Sequence, residues 1–237
     1  MTFAPWASHW ISARLGERAR PAKNLPCVLA SDDVISPVPA PARIRTAFNL
    51  DHWQNKNIGM LATAVAGARA QVSGLSLEIA GSGSPQSEAA IDHILAKAGI
   101  ADVAWRVGRV SGSDIQQWMN DAALFALVSR RETFGMVFAE ALLAGCPIIY
   151  PKGAAVDGYF GDSRFARGVA PGDTQDLRDA IVLGLSQQEE SKRQLGVWQA
   201  AGGTLPFRRA SILGNYQSIL ERAAGLELAR ARTDRQV

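Results

Sequence analysis

Residues 123–150 read ALFALVSRRETFGMVFAEALLAGCPIIY. The run from Ala123 to Val128 is apolar and short enough for a buried strand. A polar loop follows from Ser129 to Glu132, and Gly135 then opens a helix rich in alanine and leucine. Gly145 closes that helix as a C-cap residue. Cys146-Pro147 leads into a second apolar run, Ile148 to Tyr150. The spacing predicts a strand, a helix and a second strand of one parallel sheet. Glu132 sits in the loop and Glu140 in the helix. Val137, Phe138, Ala141 and Leu142 surround Glu140, which sets it apart from an ordinary surface carboxylate.

The same alternation extends in both directions. Strands are expected over 44–48, 75–80 and 103–107, with helices over 56–72, 88–98 and a short one over 113–119. Beyond Tyr150 the chain loosens at Gly153, Gly158 and Gly161, and helices return over 174–185, 189–200 and 206–226. Asp173 is placed to cap the first of these. Upstream, 5–20 reads as a helix, 25–30 as a short strand, and the proline-rich 36–42 as an extended connector. Strands alternating with helices predict an α/β fold, a Rossmann-like, doubly wound parallel sheet with helices on both faces. In such sheets ligands bind beyond the carboxyl ends of the strands. The expected organisation is an N-terminal helix and linker (1–42), a nucleotide-binding domain (43–190), and C-terminal helices packed on that domain (191–237).

Ser129, Glu132, Phe134, Gly135, Glu140, Ala141, Ala144, Gly145 and Pro147 stand in register with a family signature. The stretch resembles the Glu-x₇-Glu region of retaining GT-B glycosyltransferases, most closely family 4. The resemblance implies that the sheet is the donor-binding half of a GT-B fold. It implies that Glu132 and the amides of Phe134, Gly135, Met136 and Val137 face the donor sugar and its diphosphate, and that Glu140 accepts hydrogen bonds from the ribose. Free amides at a helix start, with the helix dipole, favour a diphosphate on general grounds.

Residues 49–57, NLDHWQNKN, resemble the family loop in which an arginine and a lysine grip the departing diphosphate. Lys56 matches the lysine, and with Glu132 it is the expected catalytic pair. Asn49 stands where the arginine belongs, so one charge is missing unless Arg45, Arg130 or Arg131 replaces it. Gly108 and Arg109 resemble a turn that contacts the nucleobase, and Gly81 belongs to a loop similar to the family's Gly-x-Gly-Pro. The resemblance implies transfer of a hexosyl group from a nucleotide sugar, with no cofactor and no metal. His9, His52 and His93 are far apart in sequence and have no ligand spacing. The alternative is a non-catalytic nucleotide-sugar-binding or assembly module, favoured by Asn49.

Composition narrows the remaining classes. The 237 residues are 47% hydrophobic and 20% charged, with a net charge of +3, an ordinary globular balance. The basic residues form no run, which argues against a nucleic-acid partner. Two cysteines, Cys27 and Cys146, fit a reducing compartment, and the expected location is cytoplasmic. No apolar stretch approaches the roughly 20 residues of a membrane span, and the N-terminus lacks the pattern of a signal peptide. Trp6, Trp10, Ile11, Arg14 and Arg18 could make the first helix interfacial, with peripheral membrane contact; the plainer expectation is packing on the protein's own body. The chain begins at what resembles the hinge between GT-B domains. The acceptor side is therefore expected from outside these residues, through a separate acceptor-domain chain or self-association.

Overall fold

The computed structural model describes residues 5–15 and 25–223. Six parallel strands form one sheet in the order β3-β2-β1-β4-β5-β6. They are β1 (Arg43–Ala47), β2 (Ser76–Ala80), β3 (Ala104–Gly108), β4 (Leu124–Ala126), β5 (Ile148–Pro151) and β6 (Ala166–Val169). The helices are α1 (Pro5–Leu15), α2 (Ile58–Arg69), α3 (Pro85–Lys97), α4 (Ile115–Asn120), α5 (Met136–Leu143), α6 (Thr174–Ser186), α7 (Gln188–Ala200) and α8 (Arg209–Ala223). One core joins α2, α3 and α6 to one face of the sheet through Leu61, Val65, Ile91, Leu95, Leu177 and Ile181. A second joins α4, α5 and α7 to the other face through Met119, Phe138, Leu142, Leu195 and Phe125. The doubly wound expectation holds, with apolar side chains on both faces of the central strands as parallel sheets require.

The central strand carries a polar exception. Arg45 of β1 lies directly across from Glu78 of β2, and its Nε is 2.8 Å from the carboxylate, with both side chains under 10% exposed. The guanidinium also stacks over the Trp118 ring at 4.7 Å.

Four local expectations are corrected. The segment 25–30 is not a strand: Pro26 lacks an amide donor, and the segment docks instead through buried Leu25 and Leu29. The helix expected over 56–72 begins at Ile58, because Asn57 takes a left-handed conformation (φ 56°) and a 3-10 turn fills Leu50–His52. The helix expected from residue 206 starts at Arg209, after a 3-10 turn over Leu205–Phe207. The loosened region after Tyr150 contains β6, an edge strand whose Arg167 and Gly168 hide its pattern. The expected helical residues 16–20 and 224–226 lie outside the described residues. Among the described residues no helix is long and apolar enough to cross a membrane.

Candidate active site

Strand order reverses between β1 and β4, so the loops leaving their carboxyl ends diverge and open a cleft at this switch point. Those loops are 48–57 and 127–135, the two that the sequence singles out. They are latched together. Arg130 N–H donates to the Asn55 carbonyl at 2.7 Å, and the Asn55 amide donates to the Arg131 carbonyl at 3.1 Å. Between these contacts the Lys56 ammonium donates to Glu132 Oε2 at 2.7 Å. Ser129 Oγ donates to the same oxygen at 3.4 Å. The Lys56 and Glu132 side chains are 19% and 14% exposed, partly shielded and still within reach of a ligand.

Gly135 is the hinge of the second loop. Its φ of 71° is left-handed, and a Cβ there would lie 2.6 Å from the Phe138 ring. Only glycine fits. The Phe134 side chain points away from the cleft into the core, edge-on to Tyr159 with ring centroids 6.2 Å apart, so it anchors the loop. Met136 is exposed and Val137 half-buried at the start of α5.

Asn49 takes a structural role in place of the absent arginine. Its side chain accepts from Asp51 N–H at 3.0 Å and caps the 3-10 turn. Asp51 Oδ1 in turn accepts from the Ser84 amide and hydroxyl, each at 2.8 Å, and these bonds lower its pKa. Gly81 follows from packing as well, since a Cβ would fall 2.0 Å from the Phe48 carbonyl oxygen. Its amide donates to the Gly108 carbonyl at 2.8 Å, which brings the two glycine turns together. Arg109 is exposed at the end of β3. Arg45 is locked into its pair with Glu78 and does not replace the missing charge, whereas Arg130 and Arg131 are exposed in the cleft loop.

Glu140 is half-buried on α5. Burial raises its pKa, and a hydrogen bond donated by the Ala30 amide opposes that shift. Its partner is thus the docked segment before the connector. Two depressions flank the Ser129–Glu132 loop. One, of about 370 Å³, is lined by Asn57, Ser129, Arg130 and Thr174 among others. The other, of about 410 Å³, is lined by Trp6, Arg131, Glu132, Thr133 and Ala154. The sequence reading missed Asn55, whose latch is a contact between loops, and the approach of Trp6 to Glu132, for which no local pattern exists. Among the described residues no group of three or more His, Cys, Asp or Glu is arranged to hold a metal.

The sequence profile of the glycosyl transferases group 1 family matches residues 44–187. The chain belongs to that family. The fold agrees with solved glycosyltransferase structures. Sucrose-phosphate synthase from Thermosynechococcus elongatus superposes with a TM-score of 0.76 at 20% identity, covering 95% of this chain and 58% of that one. The GtfA/B complex gives 0.72 at 20% identity, covering 90% and 43%. Anabaena HepE in complex with UDP and glucose gives 0.71 at 19% identity, covering 91% and 61%. At these identities the likeness carries the fold, and it matches one Rossmann-like domain of the GT-B architecture. This group 1 glycosyltransferase chain spans 43–61% of the length of those structures. No curated protein matches it significantly by sequence.

Proposed function

We propose that this chain is the donor-binding half of a retaining hexosyltransferase that uses a nucleoside diphosphate sugar. The observation that carries the reading is the Lys56–Glu132 pair at the switch point of the sheet. It sets a cation and a carboxylate side by side, where a diphosphate and its attached sugar need opposite charges. Lys56, Arg130 and the first amides of α5 at Met136 and Val137 hold the diphosphate, and this reading uses no metal. Glu132 faces the sugar, Glu140 the ribose, and Gly108 with Arg109 the base. A carboxylate has acceptor sites on both oxygens, so Glu140 can keep the Ala30 amide and still accept from a ribose.

The reaction is a front-face displacement. The bond between the anomeric carbon and the phosphate oxygen breaks, leaving an oxocarbenium-like sugar. The acceptor oxygen bonds to that carbon on the same face, and its proton passes to the departing phosphate. Charge stabilisation of the leaving group is the main contribution available here. The opposing acceptor wall comes from a second domain, in the same polypeptide, in another chain or in a second copy; GtfA/B is a complex by name. Free Cys27 and Cys146 support a cytoplasmic location.

A non-catalytic nucleotide-sugar-binding module is the second reading, favoured by Asn49 serving as a cap where the charge is missing. Calorimetry with a panel of nucleoside diphosphates and their sugars, followed by a transfer assay, separates the two. The half-enzyme reading expects donor binding, slow donor hydrolysis, and transfer only when an acceptor domain is added. Robust transfer by the monomeric chain alone overturns it. Binding with neither hydrolysis nor transfer under any pairing favours the module.

A further inference from the structure

Trp6 is separated by more than a hundred residues from the 127–135 loop, yet its indole N–H reaches that loop and the one around Ala155. It donates to the Thr133 carbonyl at 3.2 Å and to the Ala155 carbonyl at 3.0 Å. Thr133 follows Glu132 directly. Ala155 is fully buried and holds a φ of 52°, a conformation that costs a non-glycine residue energy and clusters at ligand sites. Pro5 packs beside the same loop, where a Cβ on Gly158 would lie 2.8 Å from its own. No residue of α1 is fully buried. Trp6 is half-buried and packs against the core around α5, and the two hydrogen bonds fix the orientation of its ring.

The ring forms one wall of the 410 Å³ depression whose other lining includes Glu132 and Arg131. That volume falls in the range of small-molecule sites. An aromatic face beside a carboxylate suits one ligand class. The C–H face of a pyranose is apolar and weakly electropositive, and it packs on the negative π face of an aromatic ring. The hydroxyls at its edge donate to a carboxylate. A phosphate would be served by Arg131 and gain nothing from the Trp6 ring, and a nucleobase would leave the Glu132 carboxylate without a hydroxyl partner.

We propose that Trp6 is the stacking wall of a hexopyranose subsite, with Glu132 as its hydroxyl acceptor. The inference rests on the donor-binding reading above and adds a residue that the family signature does not contain. The pyranose is either the donor's sugar or the acceptor's.

The test uses calorimetry on the full chain with UDP, UDP-glucose and UDP-N-acetylglucosamine. A second arm uses saturation-transfer NMR with methyl glucosides in saturating UDP. Trp6→Ala and Trp6→Phe are compared with the unsubstituted chain, with thermal melting to confirm that the body remains folded. A donor-sugar site predicts that Trp6→Ala weakens the nucleotide sugars about two- to twelvefold while UDP is unchanged, with Trp6→Phe keeping most of the affinity. An acceptor site predicts the same pattern for the methyl glucosides alone. Equal losses for UDP and its sugars, no loss in either arm, or identical behaviour of the two variants would overturn the stacking role and leave Trp6 a structural tie. Failure of the unsubstituted chain to bind any nucleotide sugar overturns the donor-binding reading and this one together.

Discussion

Lys56 and Glu132 are 76 positions apart in sequence and 2.7 Å apart in the fold. Each occupies the other before a ligand arrives. On the proposed function, an incoming diphosphate would compete with Glu132 for the ammonium, and the freed carboxylate would become available to sugar hydroxyls. Without a ligand, the pair keeps two partly desolvated charges satisfied.

Lys56→Ala should lower UDP affinity by about 10- to 150-fold, the value of one charge-assisted bond, and barely affect uridine. Glu132→Gln should leave UDP affinity equal or higher, since the lysine is released, while the increment from an attached sugar shrinks. Isothermal calorimetry on both variants and the double variant measures the coupling. Additive effects would mean that the pair does not mediate ligand exchange.

Asn49→Arg should strengthen diphosphate binding by restoring a cation to the first cleft loop. The gain will be partly offset by loss of the cap on Leu50–His52, about 1 kcal/mol of local stability. Comparing UDP affinity with melting temperature separates the two terms. Unchanged affinity with Lys56→Ala still damaging would assign the second charge to Arg130 or Arg131.

Glu140 gives a pH signature. Its pKa is raised above 4.5 by burial, so ionising it costs the native state. That cost sets in as pH rises through the ordinary value and is complete above the raised one. Glu140→Gln retains an acceptor for the Ala30 amide and removes the charge. It should raise the melting temperature at neutral pH, with the gain vanishing below about pH 4, and it should weaken nucleotide binding. Melting curves across pH 3–8 decide the first part; a gain that persists at low pH would contradict the burial argument.

Gly135→Ala should cost about 1–3 kcal/mol from its left-handed φ, with more from the approach to Phe138. Because the strain falls at the start of α5, donor affinity should drop together with stability. Urea denaturation and calorimetry on the same variant provide both numbers.

The doubly wound sheet was legible because β4, α5 and β5 are compact, apolar and locally punctuated by Gly135 and Gly145. That Lys56 and Glu132 would stand at the same end of the sheet was legible through the family signature and the rule that ligands gather at strand carboxyl ends; their direct ion pair was not. What escaped reading was non-local or weakly patterned. The segment 25–30 carries strand-like residues, but Pro26 and the docking of Leu29 keep it unpaired. β6 has four residues, one of them charged and one a glycine. The left-handed Asn57 shortens α2 by an amount that propensity cannot forecast. Trp6 reaches Thr133 across 127 positions, and nothing near Trp6 in sequence announces it.

The Arg45–Glu78 pair has a consequence for assembly. Side chains alternate faces along a strand, so sliding β2 by one residue against β1 would turn Glu78 toward the apolar helices α2 and α3. A lone carboxylate there would cost several kcal/mol, whereas the correct alignment finds Arg45 at 2.8 Å. The bond should therefore act as a key that rejects misaligned pairings while the sheet forms, more than as a clamp on the finished fold. Replacing the buried pair, Arg45→Met with Glu78→Leu, also frees the more exposed Arg43 from Glu78 Oε1 at 3.1 Å; it should leave the melting temperature nearly unchanged or raised and make refolding slower and multiphasic. Single-exponential refolding of that double variant would show that the neighbouring apolar side chains set the alignment unaided.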